Sequence, residues 1–186
     1  DDVDVTITSA AGTVDARDLL NVVFSLEDEE VVTVDSSVTT IDGTSDELSS
    51  ITLTNPADKL VGADSLDVTV QGDVDEATNT VDAINDFIAY FSGTITANVV
   101  NTESLAELAT LTAGTNALTI SIPDVNATDL NGDPTGENQL AAASLVAIDA
   151  ATTETVTIET DLGLDQVISG SASDIQDVLD GGFTGI

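Results

Sequence analysis

Residues 81–100 read VDAINDFIAYFSGTITANVV. Val81, Ile84, Ile88 and Phe91 fall at i, i+3, i+7 and i+10, the spacing of a single helix face. After the break at Ser92-Gly93-Thr94, Ile95, Ala97 and Val99 alternate with polar residues, as a half-buried strand does. The same arrangement occurs twice more. Residues 14–35 read VDARDLLNVVFSLEDEEVVTVD, with Leu19, Leu20 and Val23 on the helical stretch and Val32 and Val34 on the strand. Residues 140–159 read LAAASLVAIDAATTETVTIE, with Leu145 and Ile148, then Val156 and Ile158. The three segments start at Val14, Val81 and Leu140, so the repeat is imperfect but close to regular.

The flanks extend the pattern. Thr44-Ser45-Asp46-Glu47 has the form of a capping box, Thr44 capping the helix and Glu47 reaching back, with Leu48 and Ile51 as the apolar face. Ser171-Ala172-Ser173-Asp174 opens an equivalent helix carrying Ile175, Val178 and Leu179, and Thr102 precedes Leu105 and Leu108. Upstream, Asp4-Val5-Thr6-Ile7 matches Asp67-Val68-Thr69-Val70 and Leu118-Thr119-Ile120-Ser121-Ile122 as strands. Ile51-Thr52-Leu53-Thr54 and Leu111-Thr112 are weaker strand candidates. The expected fold is therefore α+β and strand-rich, with about three imperfect repeats of strand, helix, strand, short helix and strand. The repeats cover residues 1–73, 74–133 and 134–186.

The third repeat ends at Gly181-Gly182-Phe183-Thr184-Gly185-Ile186 with no strand to follow. A strand from a neighbouring copy, carrying Val3, Val5 and Ile7, would complete it. Such head-to-tail strand addition makes a homo-oligomer, and a fibre if the rotation does not close.

Charge bounds the partners. The 186 residues carry 35 Asp and Glu against two basic residues, Arg17 and Lys59, a formal net charge of −33. Nucleic acid and anionic lipid both require clustered Lys or Arg, so neither is an expected partner. No apolar run approaches the roughly 20 residues of a membrane-spanning helix, so membrane insertion is not expected. The acidic surface also repels itself, and bound calcium, sea water or brine would supply the cations it needs. His, Cys, Met and Trp are absent. A chain that begins Asp1-Asp2-Val3-Asp4 reads as a processed mature protein or a piece of a longer one, and the composition suits an extracellular, cell-surface location.

The phrases SLVAIDAATTETVTI, ISGSASDIQDVL and LTAGTNALTISI resemble repeats of giant cell-surface proteins from marine bacteria, especially cyanobacteria. The resemblance implies an adhesive, surface-layer or appendage role, often with calcium. The G-G-x-G-x-D array of calcium-roll modules is not present.

The residues themselves offer one ligand chemistry. Asp124, Asn126, Asp129, Asn131 and Asp133 lie within IPDVNATDLNGDP, where alternating hard oxygen donors suit a six- to eight-coordinate calcium. Pro134 and the lack of a correctly spaced Glu exclude an EF-hand. Asp73 and Asp75, with Glu76, form a thinner copy of that loop. Turn and capping duties are the alternative role of these residues. Asp1, Asp2 and Asp4, like Glu27 to Glu30, read as solvated turns. Asn126-Ala127-Thr128 is a glycosylation sequon that competes with calcium for Asn126.

Catalysis is not expected: without His or Cys the usual bases and strong nucleophiles are missing. The reading is an extracellular structural protein, calcium-stabilised, forming a fibre or surface layer or the stalk of a large adhesin. The alternatives are a binding module for a receptor, a surface polysaccharide or ice, and a virion fibre or decoration protein.

Overall fold

A computed structural model of the chain describes residues 4–26, 30–53, 59–74, 80–99, 104–122, 138–159 and 166–185. The fold is α+β and strand-rich. It divides into two compact units, Asp1–Val74 with Asp82–Ala97, and Asp75–Val81 with Asn98–Ile186.

In the first unit, β1 (Val5–Ile7) leads to β2 (Thr13–Asp15), which passes directly into α1 (Ala16–Ser25). The path repeats as β3 (Val32–Val34), β4 (Thr40–Gly43) and α2 (Ser45–Leu53). It repeats again as β5 (Leu60–Val61), a 3-10 turn at Ala63–Ser65, β6 (Asp67–Val74) and α3 (Thr80–Tyr90), and β7 (Ile95–Val99) follows. One sheet has the order β1-β3-β5, and β2, β4, β6 and β7 are neighbours in a second. Pairing is parallel, with Val5 opposite Val32, Val32 opposite Leu60, Thr13 opposite Thr40 and Thr40 opposite Asp67. Each turn of chain thus advances the register by nearly the same amount. Bonds between adjacent turns span a sequence separation of 27, as from the Thr39 hydroxyl to the Gly12 carbonyl, or 28, as from the Ser92 hydroxyl to the Asp64 carbonyl. The Val68 N–H donates to the Thr94 carbonyl at 2.9 Å, adding β7 to the stack. A parallel pair needs a crossover of a dozen residues or more, and the helices provide it.

This winding explains the alternation seen in the sequence. Val32, Val34, Ile41, Val68, Val70, Ile95 and Ala97 are buried, and α1 and α2 add Ala16, Leu19, Val23, Leu48 and Ile51. Asp15 caps α1 by accepting from the Asp18 N–H at 3.1 Å. On α3 the buried residues include Val81, Ile84 and Phe87, with Phe91 just beyond the helix; Ile88, assigned to this face from spacing, is only half-buried. Phe87 is the larger side chain, and a one-residue rotation of the stripe encloses it fully.

The second unit begins with α4 (Leu105–Leu108) and β8 (Ala117–Ile122). It continues through β9 (Asn138–Ala141), α5 (Ala142–Asp149), β10 (Val156–Ile158), β11 (Gln166–Ser169), α6 (Ala172–Asp180) and β12 (Phe183–Thr184). Here β8, β10 and β12 pair in parallel, as do β9 and β11. Val156 lies opposite Phe183 and Asn138 opposite Gln166, the same interval as in the first unit, while the step from Ser121 to Thr157 is longer. Thr152 ties this longer turn together from within. Its buried hydroxyl accepts from the Leu118 N–H at 3.0 Å and donates to the Leu118 carbonyl at 2.7 Å.

Several expected elements differ. Ile51-Thr52-Leu53 is helix, not strand, because the capped α2 runs on through it with Leu48 and Ile51 buried one turn apart. Leu111 sits in a bend after α4, its N–H bonded to the Leu108 carbonyl at 3.1 Å. Asp67–Val70 is not the counterpart of Val5–Ile7: β6 stacks on β4 and β2, whereas β1 stacks on β3. The unit of winding is also two strands and a helix, where the sequence suggests one strand before each main helix. Its pairing interval, as from Val5 to Val32 to Leu60, is much shorter than the spacing of the sequence similarities at Val14, Val81 and Leu140.

Candidate functional site

Of the proposed calcium donors, Asp124, Asn126, Asp129, Asn131, Asp133 and Asp75 lie outside the described residues, and so does Glu76. Asp73 is placed only by its backbone, near the end of β6. Among the described residues, no group of three or more acidic side chains is arranged to hold a metal ion.

The strand edges are better defined. Val5 and Ile7, on β1, are half-buried, and Val3 lies outside the described residues. β1 pairs with β3 on one side: the Val5 N–H donates to the Val31 carbonyl at 2.9 Å and the Asp35 N–H to the Ile7 carbonyl at 2.9 Å. On its other side β1 has no partner strand among the described residues.

At the far end, the tail expected to lack a strand contains one. Phe183–Thr184 forms β12 beside β10, and the Val156 N–H donates to the Gly182 carbonyl at 2.7 Å. Asp149 positions this return by accepting from the Gly182 N–H at 3.0 Å. The place reserved for a neighbour's strand is thus taken by the chain itself. β12 becomes the open edge, with no further strand beside it among the described residues. Sequence reasoning missed it because two residues between glycines carry almost no periodic signal. Phe183 nevertheless follows Val156 by the same interval that separates Val5 from Val32, and that regularity was available in the sequence.

The outward side chains of these sheets are mostly short hydroxyls. Thr6 lies opposite Thr33, Thr13 opposite Thr40, and Ser121, Thr157 and Thr184 follow one another across β8, β10 and β12. The Thr157 and Thr184 hydroxyls are 3.4 Å apart. Carboxylates interrupt the rows, with Asp15 opposite Asp42. Gln71 donates to Asp42 at 2.5 Å across the same sheet.

Two helix starts anchor charge locally. The Thr44 N–H donates to Glu47 at 2.9 Å and the Glu47 N–H to the Thr44 hydroxyl at 3.3 Å, the capping box read from the sequence. Arg17 of α1 adds an ion pair to the same carboxylate at 2.5 Å. The Thr44 N–H, followed by Arg17, holds the Glu47 carboxyl below its usual range. Ser104 and Glu107 make a second capping box on α4, and the Ser104 N–H likewise lowers Glu107. Thr102, the residue expected to open that helix, lies outside the described residues.

Comparison with protein-family models, curated proteins and solved structures gave no match.

Proposed function

We propose that the chain is a non-catalytic, extracellular structural protein: a subunit of a self-assembling fibre or surface layer, or a stalk segment of a large adhesin, stabilised by calcium. One observation carries the reading. In both units the strands pair in parallel over an aliphatic interior, at a near-constant sequence interval in the first and with one longer step, Ser121 to Thr157, in the second. An architecture in which every turn contacts chiefly its neighbours suits length and stiffness rather than an enclosed pocket. The outer edges of β1 and β12 supply backbone donors and acceptors for a second copy, with Val5 and Ile7 on the added strand. Calcium would act at Asp124, Asn126, Asp129, Asn131 and Asp133, and at Asp73 and Asp75, neutralising charge between turns. No described helix is long and apolar enough to cross a membrane.

Electron microscopy of the purified chain, in millimolar calcium and then in chelator, tests this. Fibres or sheets that form with calcium and dissolve in chelator support the proposal. Monodisperse particles under both conditions would remove self-assembly and leave a spacer. The in-register hydroxyls favour a second reading, a binding module that lays a sheet face on an ordered surface. Retention on insoluble polysaccharide or ice by monomeric protein would support that reading instead.

A further inference from the structure

The sequence holds five aromatic residues, Phe24, Phe87, Tyr90, Phe91 and Phe183. Phe87 and Phe91 are core, Phe183 is partly covered on β12, and Phe24 is 67% exposed on α1. Tyr90 differs from these. With Thr52 of α2 and Asp86 and Ala89 of α3, it lines an open depression of about 270 Å³. Pockets that enclose a drug-sized ligand run from about 300 Å³ upward, and this shallower, open one has room for a group of about one sugar ring.

The chemistry of the lining is mixed in a particular way. The Tyr90 ring meets Phe91 edge-to-face, at 4.8 Å and 79°, so the two rings are not stacked on each other. Burial, and then the Asp64 carboxylate, push the Tyr90 phenol above its ordinary value. Asp86 is one helical turn from Tyr90 and exposed. An apolar ring and an alanine methyl beside a carboxylate and a hydroxyl fit a ligand with an apolar ring face and a positive charge.

We propose that the depression lined, among the described residues, by Tyr90, Asp86, Ala89 and Thr52 binds an amino-sugar unit of a polysaccharide. The sugar's C–H face lies on Tyr90 and Ala89, and its ammonium group faces Asp86 while attracted by the ring. Charge selects this ligand among polysaccharides. A chain of net charge −33 repels uronate- and sulfate-bearing polymers and attracts a cationic one. Shape favours it over a basic peptide, because a lysine stem offers no ring face to fill the depression. This site does not depend on assembly and goes beyond the structural role.

Tyr90 is the only tyrosine and there is no tryptophan, so intrinsic fluorescence reports on this site alone. The probes are a glucosamine tetramer, its fully N-acetylated counterpart and tetralysine, titrated at mildly acidic pH and constant ionic strength. A saturable change with the glucosamine tetramer, at least about tenfold tighter than with either control, is expected. Calorimetry should show that affinity falls about tenfold in both Tyr90→Leu and Asp86→Asn. It should stay unchanged in Asp174→Asn/Asp177→Asn on α6, which removes the same kind of charge elsewhere. Equal binding of tetralysine, or equal loss in the α6 variant, would mean diffuse attraction to an acidic surface and would overturn the proposal. Equal binding of the acetylated tetramer would remove the ammonium from it. With the assay run in chelator, where the proposed assemblies are dissolved, its failure leaves the microscopy result standing, and the reverse holds too.

Discussion

Gly62 and Gly93 show how closely successive turns approach. Gly62 has φ of +86°, and a Cβ there would sit 2.9 Å from the Val34 carbonyl oxygen of the turn before. At Gly93 a Cβ would run into the backbone of Leu66 and Asp67. Left-handed backbone alone costs a non-glycine residue about 1–2 kcal/mol. Gly62→Ala is therefore expected to lose at least about 2 kcal/mol by chemical denaturation, and Gly93→Ala a similar amount through overpacking. Glu47 gives a pH signature. Its folded-state carboxyl is lowered by the Thr44 N–H and by Arg17, so its contribution is present above its ordinary range and is lost as pH falls through the lowered value. In salt that screens the general repulsion, Glu47→Gln should melt below wild type at neutral pH. The two curves should converge in acid, where both residues are uncharged.

At the level of elements, helices were the most legible part of the chain. The Thr44-to-Glu47 box was read correctly because its four residues state their own hydrogen bonds, and α1, α3 and α5 follow from the helical period. Thr44→Ala and Ser104→Ala should each cost about 1 kcal/mol, read from urea midpoints. The strands β2, β4, β5, β9, β11 and β12 were not legible. They are short, and their partners lie a full turn away, beyond any local pattern. Apolar spacing found α6 and its Ser171 cap but made its buried face too wide. Val178 is buried, but Leu179 is 61% exposed. Leu179→Ser is accordingly expected to change stability by less than about 0.5 kcal/mol, and Val178→Ala to cost about 2 kcal/mol. Of the calcium donors only Asp73, near the end of β6, lies within the described residues, so the calcium reading rests on composition and spacing.

Across the whole molecule, electrostatics oppose folding. With a formal charge of −33, and acidic residues at neighbouring register positions such as Asp15 and Asp42, compaction brings like charges together. Raising sodium chloride toward about 1 M, where the Debye length is about 3 Å, should lift the melting temperature steeply. Circular dichroism across a salt series measures this. Calcium at matched ionic strength should add a further increment if the loop at Asp124 to Asp133 binds it, and none if the acidity answers salt alone. The parallel register has a separate meaning for how such a chain changes length. Removing residues 40–66 would set Asp67 directly after Thr39, bring Val68 opposite Val14 and leave the later strands facing inward as before. Removing one residue fewer would turn the same valines toward water unless the connection took up the spare residue. A whole turn can thus be lost or gained without disturbing any strand, whereas a fraction of one has to be taken up in the connections, as the longer step from Ser121 to Thr157 is, so the chain lengthens most simply by rungs, as a ladder does.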